Sequence, residues 1–285
     1  MYLNVLGHPI YCYTGGKVVD AASLAAKPTV VFIHGVLNDH SVWILQTRYL
    51  AHHGFNVLAV DLPGHGRSAG PQHDVEPCRT VESAADFIIA LLDASGIQTA
   101  ALVGHSFGSL IALEVAARAP SRISHLAMVG TAFPMPVSPA LLETSLTQPM
   151  KAIDMVNTFS HSMLAPPPSA LGPGTWLYGG SKALMRRVQA SNTRVNLFHT
   201  GFTACNDYKN GLASVKHASA AMLFVVGKSD QMTPPKAAMA LVNEAKAQGK
   251  TVKVMTLEAG HSLMTEAPDG VLMALRDFLT AKRSN

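Results

Sequence analysis

Short runs of β-branched and other apolar residues alternate along the chain with longer segments whose apolar positions recur at helical spacing, and this alternation limits the fold more than any other feature. Thr29-Val30-Val31-Phe32-Ile33 carries no polar-facing set of positions, which suits a strand covered on both faces. Residues 55–60, 100–103, 123–129, 221–226 and 251–257 read as further strands. Helical patterns span residues 83–92, with a stop signal at Gly96, and residues 110–119, stopped by Pro120. Two more span 234–247 and 267–279. Residues 3–6 and 10–13 flank Gly7-His8-Pro9 and predict an opening hairpin. Strands alternating with helices predict an α/β fold, a doubly wound and mostly parallel β-sheet covered on both faces.

Residues 132–215 break the rhythm. Eight of the 17 prolines fall there, Pro166-Pro167-Pro168 among them, together with five of the 13 methionines. Such a length is too great for a structureless loop in a compact domain. It predicts helices with irregular linkers, a helical cap inserted after the sixth strand. The expected division is a core of residues 1–131 and 216–285 and a cap of residues 132–215. Ligands of open α/β sheets bind outside the carboxyl ends of the strands, where this insert begins.

Composition removes several function classes. Of 285 residues, 48% are hydrophobic and 14% charged, the reverse of a disordered chain. The longest apolar stretches, residues 28–33 and 220–226, fall far short of the ~18 residues of a membrane span, so none is expected. The net charge of +4 comes from 22 basic and 18 acidic residues, mostly dispersed, with one dense pair at Lys282-Arg283. A nucleic-acid binder concentrates its positive charge on a face or in a run, so no nucleic-acid partner is expected. Residues 132–215 hold six of the basic residues against three acidic ones (Glu143, Asp154, Asp207), so the positive balance belongs mainly to the insert. Cys12, Cys78 and Cys205 are too sparse for a disulfide framework or a metal cluster. Met1-Tyr2-Leu3-Asn4 lacks the basic and apolar regions of a signal peptide. A cytoplasmic location is expected.

Gly104-His105-Ser106-Phe107-Gly108 is the sharpest chemical signal. It follows a strand and opens a helix, the setting of a Gly-x-Ser-x-Gly nucleophile elbow. Glycines two residues either side of the serine remove side chains that a very tight turn would bring into collision. On the order of 0.1 such matches arise by chance in a chain this long, given ordinary glycine and serine usage. The strand–turn–helix setting makes the signal strong.

Together with His34-Gly35, Asp61-Leu62-Pro63-Gly64-His65-Gly66-Arg67-Ser68, Gly227-Lys228-Ser229-Asp230 and Gly260-His261, this elbow resembles the α/β-hydrolase superfamily, in its serine-nucleophile, esterase- and lipase-like branch with a cap insertion. The resemblance runs from about residue 3 to 282, the insert excepted. It implies the order nucleophile, acid, base, each after a strand: Ser106, Asp230 and His261. A serine hydroxyl is a poor nucleophile near neutrality, so an imidazole must take its proton and a carboxylate must orient that imidazole. Asp61 also ends a strand, but its Pro-Gly-x-Gly surroundings read as a rigid turn, and in the family this aspartate is usually structural. Glu258 stands only three residues before His261 and is expected to point elsewhere. The oxyanion hole is expected from the backbone N–H groups of Phe107 and, by resemblance, Val36. Gly35 lets that loop bend towards the site, and His34 is expected to orient it rather than to react. A serine at the elbow separates the chain from the dehalogenase and epoxide-hydrolase branches, which the family runs through an aspartyl nucleophile.

The expected function is a serine hydrolase that cleaves a carboxylic ester or related acyl compound through an acyl-enzyme, with no metal or organic cofactor and a small apolar substrate. A carbon–carbon hydrolase, a lactonase or a perhydrolase would use the same triad. A small-ligand receptor on a hydrolase scaffold is a reading of another class, and such a protein would usually have lost a triad member. Met135, Met150, Met155, Phe159 and Met163 suit either an acyl pocket or the interior of the insert. Arg186, Arg187 and Arg194 suit either an anionic substrate group or a solvated helix face.

Overall fold

The computed structural model describes residues 1–69, 78–162 and 176–281; the Pro166-Pro167-Pro168 run, Met163 and Lys282-Arg283 lie outside the described residues. The strands are β1 (Tyr2–Val5), β2 (His8–Tyr13), β3 (Thr29–Ile33), β4 (Asn56–Val60), β5 (Ala100–His105), β6 (Ile123–Val129), β7 (Ala221–Gly227) and β8 (Val252–Leu257). They form one eight-stranded sheet in the order β1-β2-β4-β3-β5-β6-β7-β8. β1 and β2 make the expected hairpin, turned by Leu6 and Gly7 at φ of 53° and 84°. β2 runs antiparallel to β4, and β4 onward is parallel throughout. This is the doubly wound architecture that the alternation predicts.

The helices are α1 (Ala21–Ala26), α2 (Ile44–His52), α3 (Val81–Ala94), α4 (Phe107–Arg118), α5 (Pro139–Thr147), α6 (Pro149–Ser160), α7 (Leu177–Ser191), α8 (Leu197–Asp207), α9 (Gly211–His217), α10 (Pro235–Ala247), α11 (Leu263–Glu266) and α12 (Pro268–Thr280). Side chains of a strand alternate between faces, and the core divides accordingly. Val31, Ile33, Leu58, Val60, Leu102 and Phe224 meet α3, α4, α9 and α10. Val30, Phe32, Val57, Val103, Val129 and Val225 meet α2, α11 and α12 on the other face. Each large apolar side chain so enclosed contributes about 1.5–3 kcal/mol.

α2 escapes sequence reading because its burial does not follow polarity: Leu50 and Ala51 face the core, but so do two polar residues, while two apolar ones do not. Ile44 and Leu45 are exposed, whereas Gln46 and Thr47 are buried. Those two polar side chains reach local and distant carbonyls: Thr47 Oγ1 donates to Trp43 O at 2.7 Å, and Gln46 Nε2 donates to Pro268 O at 3.3 Å.

Between β6 and β7 the chain forms α5 to α9. Leu141, Ile153, Val156, Val188, Phe198 and Phe202 from α5 to α8 build a third apolar cluster, which Leu37 of the loop after β3 joins. Cys205, Tyr208 and Val215 belong instead to the first sheet cluster. The expected boundary at residue 215 therefore falls inside α9, a helix packed on α4. Glu114 of α4 fastens this region: its Oε2 accepts from Tyr208 Oη and Ser214 Oγ, each at 2.7 Å, while Oε1 accepts from Arg118 Nε at 2.8 Å. No helix among the described residues is long and apolar enough to cross a membrane.

Removing Glu114 leaves two buried hydroxyls without their shared acceptor. Glu114→Ala is expected to lower unfolding free energy by about 3 kcal/mol, and Glu114→Gln, which keeps one acceptor oxygen, by less than half of that. Urea denaturation of the two variants beside the parent protein measures both.

Candidate active site

Parallel registry sets the strand ends level. Ile33 pairs with Val60 and Gly104, Val129 with His105 and Val225, and Gly227 with Leu257. The loops after β3, β5, β7 and β8 therefore leave one edge of the sheet. Strand order reverses between β3 and β5, because β4 lies to one side and β6 to the other, and this opens a crevice at their carboxyl ends.

Ser106 is the sole residue between β5 and α4, so both elements run closer to it than the sequence patterns at 100–103 and 110–119 suggest. Its backbone sits at φ 53°, ψ −118°. Such a conformation costs a non-glycine residue about 1–3 kcal/mol and persists only where the surroundings enforce it. Here they do. A Cβ at Gly104 would lie 2.1 Å from Gly108 O, and one at Gly108 would lie 2.3 Å from Ile33 O. Ser106 N donates to Val129 O at 3.0 Å, and Ser106 O accepts from Ser109 N at 2.8 Å and Ser109 Oγ at 2.5 Å. Although Ser106 holds the N-cap position of α4, its hydroxyl makes no capping bond. It is left for other chemistry.

Asp230 and His261 follow β7 and β8. His261 Nδ1 lies 2.9 Å from Asp230 Oδ2 with both side chains buried. An Nδ1–H donated to the carboxylate leaves Nε2 with its lone pair, the form a general base needs. Asp230 Oδ1 accepts from Met232 N at 2.8 Å and Thr233 N at 2.7 Å, and Oδ2 accepts from Thr233 Oγ1 at 2.7 Å. Burial pushes the Asp230 carboxyl up, but the His261 imidazole and these donors outweigh it, and its pKa lies below the ordinary value. Ser106 and His261 both line a cavity of about 530 Å³ and a second of about 270 Å³. The three residues picked from the chain order are thus brought together.

The two amides expected to bind an oxyanion flank the same place. Phe107 is the first residue of α4, so its N–H has no partner within the helix. Val36 lines the larger cavity beside Gly35, where a Cβ would lie 3.2 Å from the Ser106 Cβ. Leu37, next along, is fully buried at φ 54°. His34 fixes the loop: Nδ1 donates to Gly35 O at 2.8 Å, and Nε2 accepts from Leu62 N at 3.0 Å.

Asp61 is engaged elsewhere, as the turn around it suggests. Its Oδ1 accepts from His40 N and His40 Nδ1, each at 2.7 Å, and Oδ2 accepts from Arg67 N at 2.8 Å. Asp39, His40 and Asp61 approach closely enough to surround a cation. Their atoms already bond to one another's neighbours, Asp39 through Ser41 and Arg187, so the cluster reads as a hydrogen-bonded turn. Glu258 pairs with Lys228 at the surface, at 2.7 Å.

Of the insert's arginines, Arg187 lines the larger cavity and donates to Asp39 Oδ2 at 2.9 Å, and Arg186 reaches Asp154 at 3.4 Å. Met135, Met155 and Phe159 line the smaller cavity, and Met150 is exposed.

Sequence reasoning passed over three supporting residues. Thr233 Oγ1 lies 3.0 Å from His261 Nδ1 besides touching Asp230. His105 Nε2 donates to His261 O at 2.9 Å, holding the histidine loop from within the elbow motif itself. Glu266 accepts from Gly260 N at 2.7 Å, from Ser162 N at 2.8 Å and from Ser162 Oγ at 2.6 Å, which ties that loop to the end of α6. Their signal was proximity in sequence to the motifs, and nothing in their spacing set them apart.

Burial pushes His65 and His105 down to about 3, and His34 is lowered for the same reason. An unfolded histidine takes up a proton near pH 6.5, whereas these stay neutral in the fold, so stability is fully present above that pH and falls as acid is added towards pH 3. Each group contributes a slope of at most about 1.4 kcal/mol per pH unit. Urea unfolding followed from pH 7 to pH 5 is expected to show this decline, and His105→Gln to flatten it. An unchanged slope in that variant would contradict the burial argument.

A family model described as alpha/beta hydrolase fold matches residues 28–268. Over 115 residues, 40% of this chain, the sequence is 38% identical to the dihydrolipoyllysine-residue acetyltransferase component of the acetoin cleaving system of Cupriavidus necator, and the match spans 29% of that protein. It is 34% identical to an epoxide hydrolase of Caballeronia sordidicola over 109 residues, covering 38% of this chain and 32% of that one. The matched stretch is thus about a third or less of each relative. The structure of the enol-lactonase from Burkholderia xenovorans LB400 superposes with a TM-score of 0.79 at 20% identity, covering 99% of this chain and 100% of that chain, a likeness of fold. With four fifths of its length inside the family model, the chain belongs to the alpha/beta hydrolase fold family.

Proposed function

We propose that this hydrolase-family protein is a serine hydrolase that cleaves a carboxylic ester, or a related acyl compound, through a covalent acyl-enzyme. The observation that carries the reading is the buried His261–Asp230 pair, 2.9 Å between Nδ1 and Oδ2, with its imidazole on the wall of the same cavities as the strained Ser106. Ser106 Oγ attacks the substrate carbonyl while His261 Nε2 takes the hydroxyl proton, and Asp230 stabilises the imidazolium. The N–H groups of Val36 and Phe107 receive the oxyanion, each contributing about 3 kcal/mol by analogy with measured donor deletions. His261 then protonates the departing alcohol. Water, deprotonated by the same imidazole, attacks the Ser106 ester and releases the acid.

In this reading residues 132–215 are the cap, and the cavities beneath it take the substrate. The epoxide hydrolase among the relatives raises a rival chemistry. Its family branch relies on an aspartyl nucleophile, and this chain has Ser106 at the elbow. Lactone opening is the same chemistry on a cyclic ester and falls within the proposal.

A fluorophosphonate probe is expected to label the protein, with labelling abolished in Ser106→Ala. Asp230→Asn, which misorients the imidazole, is expected to lower kcat on a simple ester by about 10³–10⁴-fold. Ester hydrolysis and labelling that survive Ser106→Ala would overturn the assignment.

A further inference from the structure

The peptide groups on both sides of His261 are held from outside their own loop. His261 O accepts from His105 Nε2 at 2.9 Å, which ties the loop to the elbow. The other supports lead to the inserted helices. Ser262 N donates to Ser160 O at 3.0 Å, the last residue of α6. Gly260 N donates to Glu266 Oε2 at 2.7 Å, and Glu266 Oε1 accepts from Ser162 N at 2.8 Å and Ser162 Oγ at 2.6 Å.

Glu266 thus joins the loop after β8 to the end of α6 with one carboxylate, and it lines neither cavity. Hydrogen bonds to an ionised carboxylate are roughly twice as strong as neutral ones. The fit around them is close. A Cβ at Gly260 would lie 2.6 Å from Ser162 N and 2.9 Å from Glu266 Oε2, so a side chain there would push the loop off α6. On the other side, a Cβ at Gly227 would lie 2.2 Å from Gly260 O. The residue before His261 is therefore gripped between the end of β7 and the end of α6.

We infer that Glu266 is a positioning residue for the base, using the end of α6 as the fixed point from which the His261 ring is set between Asp230 and Ser106. This rests on the serine-hydrolase reading. The imidazole has two demands to meet at once, Nδ1 against Asp230 and Nε2 towards the Ser106 hydroxyl, and those partners come from loops after different strands. Rotation of the backbone beside the ring would satisfy one and lose the other. Glycine is the residue most free to rotate, and Gly260 holds that place. Its bond to Glu266 removes the freedom. The insert then serves the chemistry as a support for the base, besides walling the cavities.

The test measures kcat and KM on p-nitrophenyl acetate, beside urea stability, in variants of this junction. Glu266→Ala leaves Gly260 N and Ser162 without their acceptor, and Gly260→Ala wedges the loop away from α6 with Glu266 intact. Each is expected to lower kcat and kcat/KM together by about 10–100-fold, the effect of moving a reacting group by up to ~1 Å, with KM held within about threefold. Glu266→Gln keeps one acceptor oxygen but turns an N–H towards the other donor, and is expected to lower kcat by about fivefold. A clasp that serves stability alone would lower the urea midpoint and leave kcat of the folded protein unchanged. A kcat within about twofold of the parent in folded Glu266→Ala or Gly260→Ala, or in Glu266→Gln where those two do not fold, overturns the positioning role, as does a loss carried by KM alone. Fluorophosphonate labelling of the parent separates the two readings: with it, such a result removes only the role of Glu266. A parent protein that neither takes up the probe nor hydrolyses the ester overturns both.

Discussion

A strained turn with no spare room organises this site. Ser106 is held at φ 53° because backbone meets backbone on both sides of it, Gly104 against Gly108 and Gly108 against Ile33. The close approach to Ile33 adds to the β3–β5 pairing and seats α4 against the end of β3, which brings the loop after β3 beside the serine. Tight packing of this kind leaves few ways to relax, which is why a conformation costing about 1–3 kcal/mol persists. The hydroxyl gains from the strain: a serine at a helix N-terminus ordinarily caps the helix with its side chain, and this one does not.

Much of the fold was legible because the central parallel strands are apolar at nearly every position. β3, β4 and β5 are buried throughout, so a continuous β-branched run marks them without any need for alternation. The elbow was legible for a different reason, since glycines at fixed offsets are demanded by backbone collisions that any such turn must avoid. α2 was not legible, because burial there falls on Gln46 and Thr47 as well as on Leu50 and Ala51, and the two polar side chains bond to carbonyls that only the folded chain supplies. Thr233, His105 and Glu266 were invisible on the same grounds. A threonine or glutamate near a motif looks like any other until the loop closes around it. The proline-rich and methionine-rich stretch gave no sign of α9, which packs on α4 as a sheet helix does.

The inserted helices and the sheet are bound at several points around the serine. Leu37, one residue beyond Val36, has its side chain in the insert's own apolar cluster. Asp39 meets Arg187 of α7. On the opposite side Glu266 bonds Gly260 and Ser162 at once, and Ser262 N donates to Ser160 O at 3.0 Å. The loop before α11 is thus fastened to α6, and the loop after β3 to α7. A change in the insert therefore acts on both the Val36 loop and the His261 loop, and the shape of the cavities is not separable from the placement of those two loops.

The histidines around the crevice show how environment assigns roles to one residue type. Among the described residues, His34, His65 and His105 bond to backbone groups, through Gly35 O and Leu62 N, Pro63 O, and His261 O. Burial without a carboxylate partner keeps them neutral, so they serve as fixed donors that shape loops. His40 has a carboxylate in Asp61, but it sits under the turn at residues 61–68 and lines neither cavity. His261 combines the two conditions that the others meet singly or not at all. A carboxylate lies on its Nδ1, and its ring forms part of the wall beside Ser106. In the proposed reaction the imidazole gains and loses a proton, which needs the first to stabilise its charge and the second to reach the substrate. Histidine count therefore does not set His261 apart, and the aspartate after β7 does.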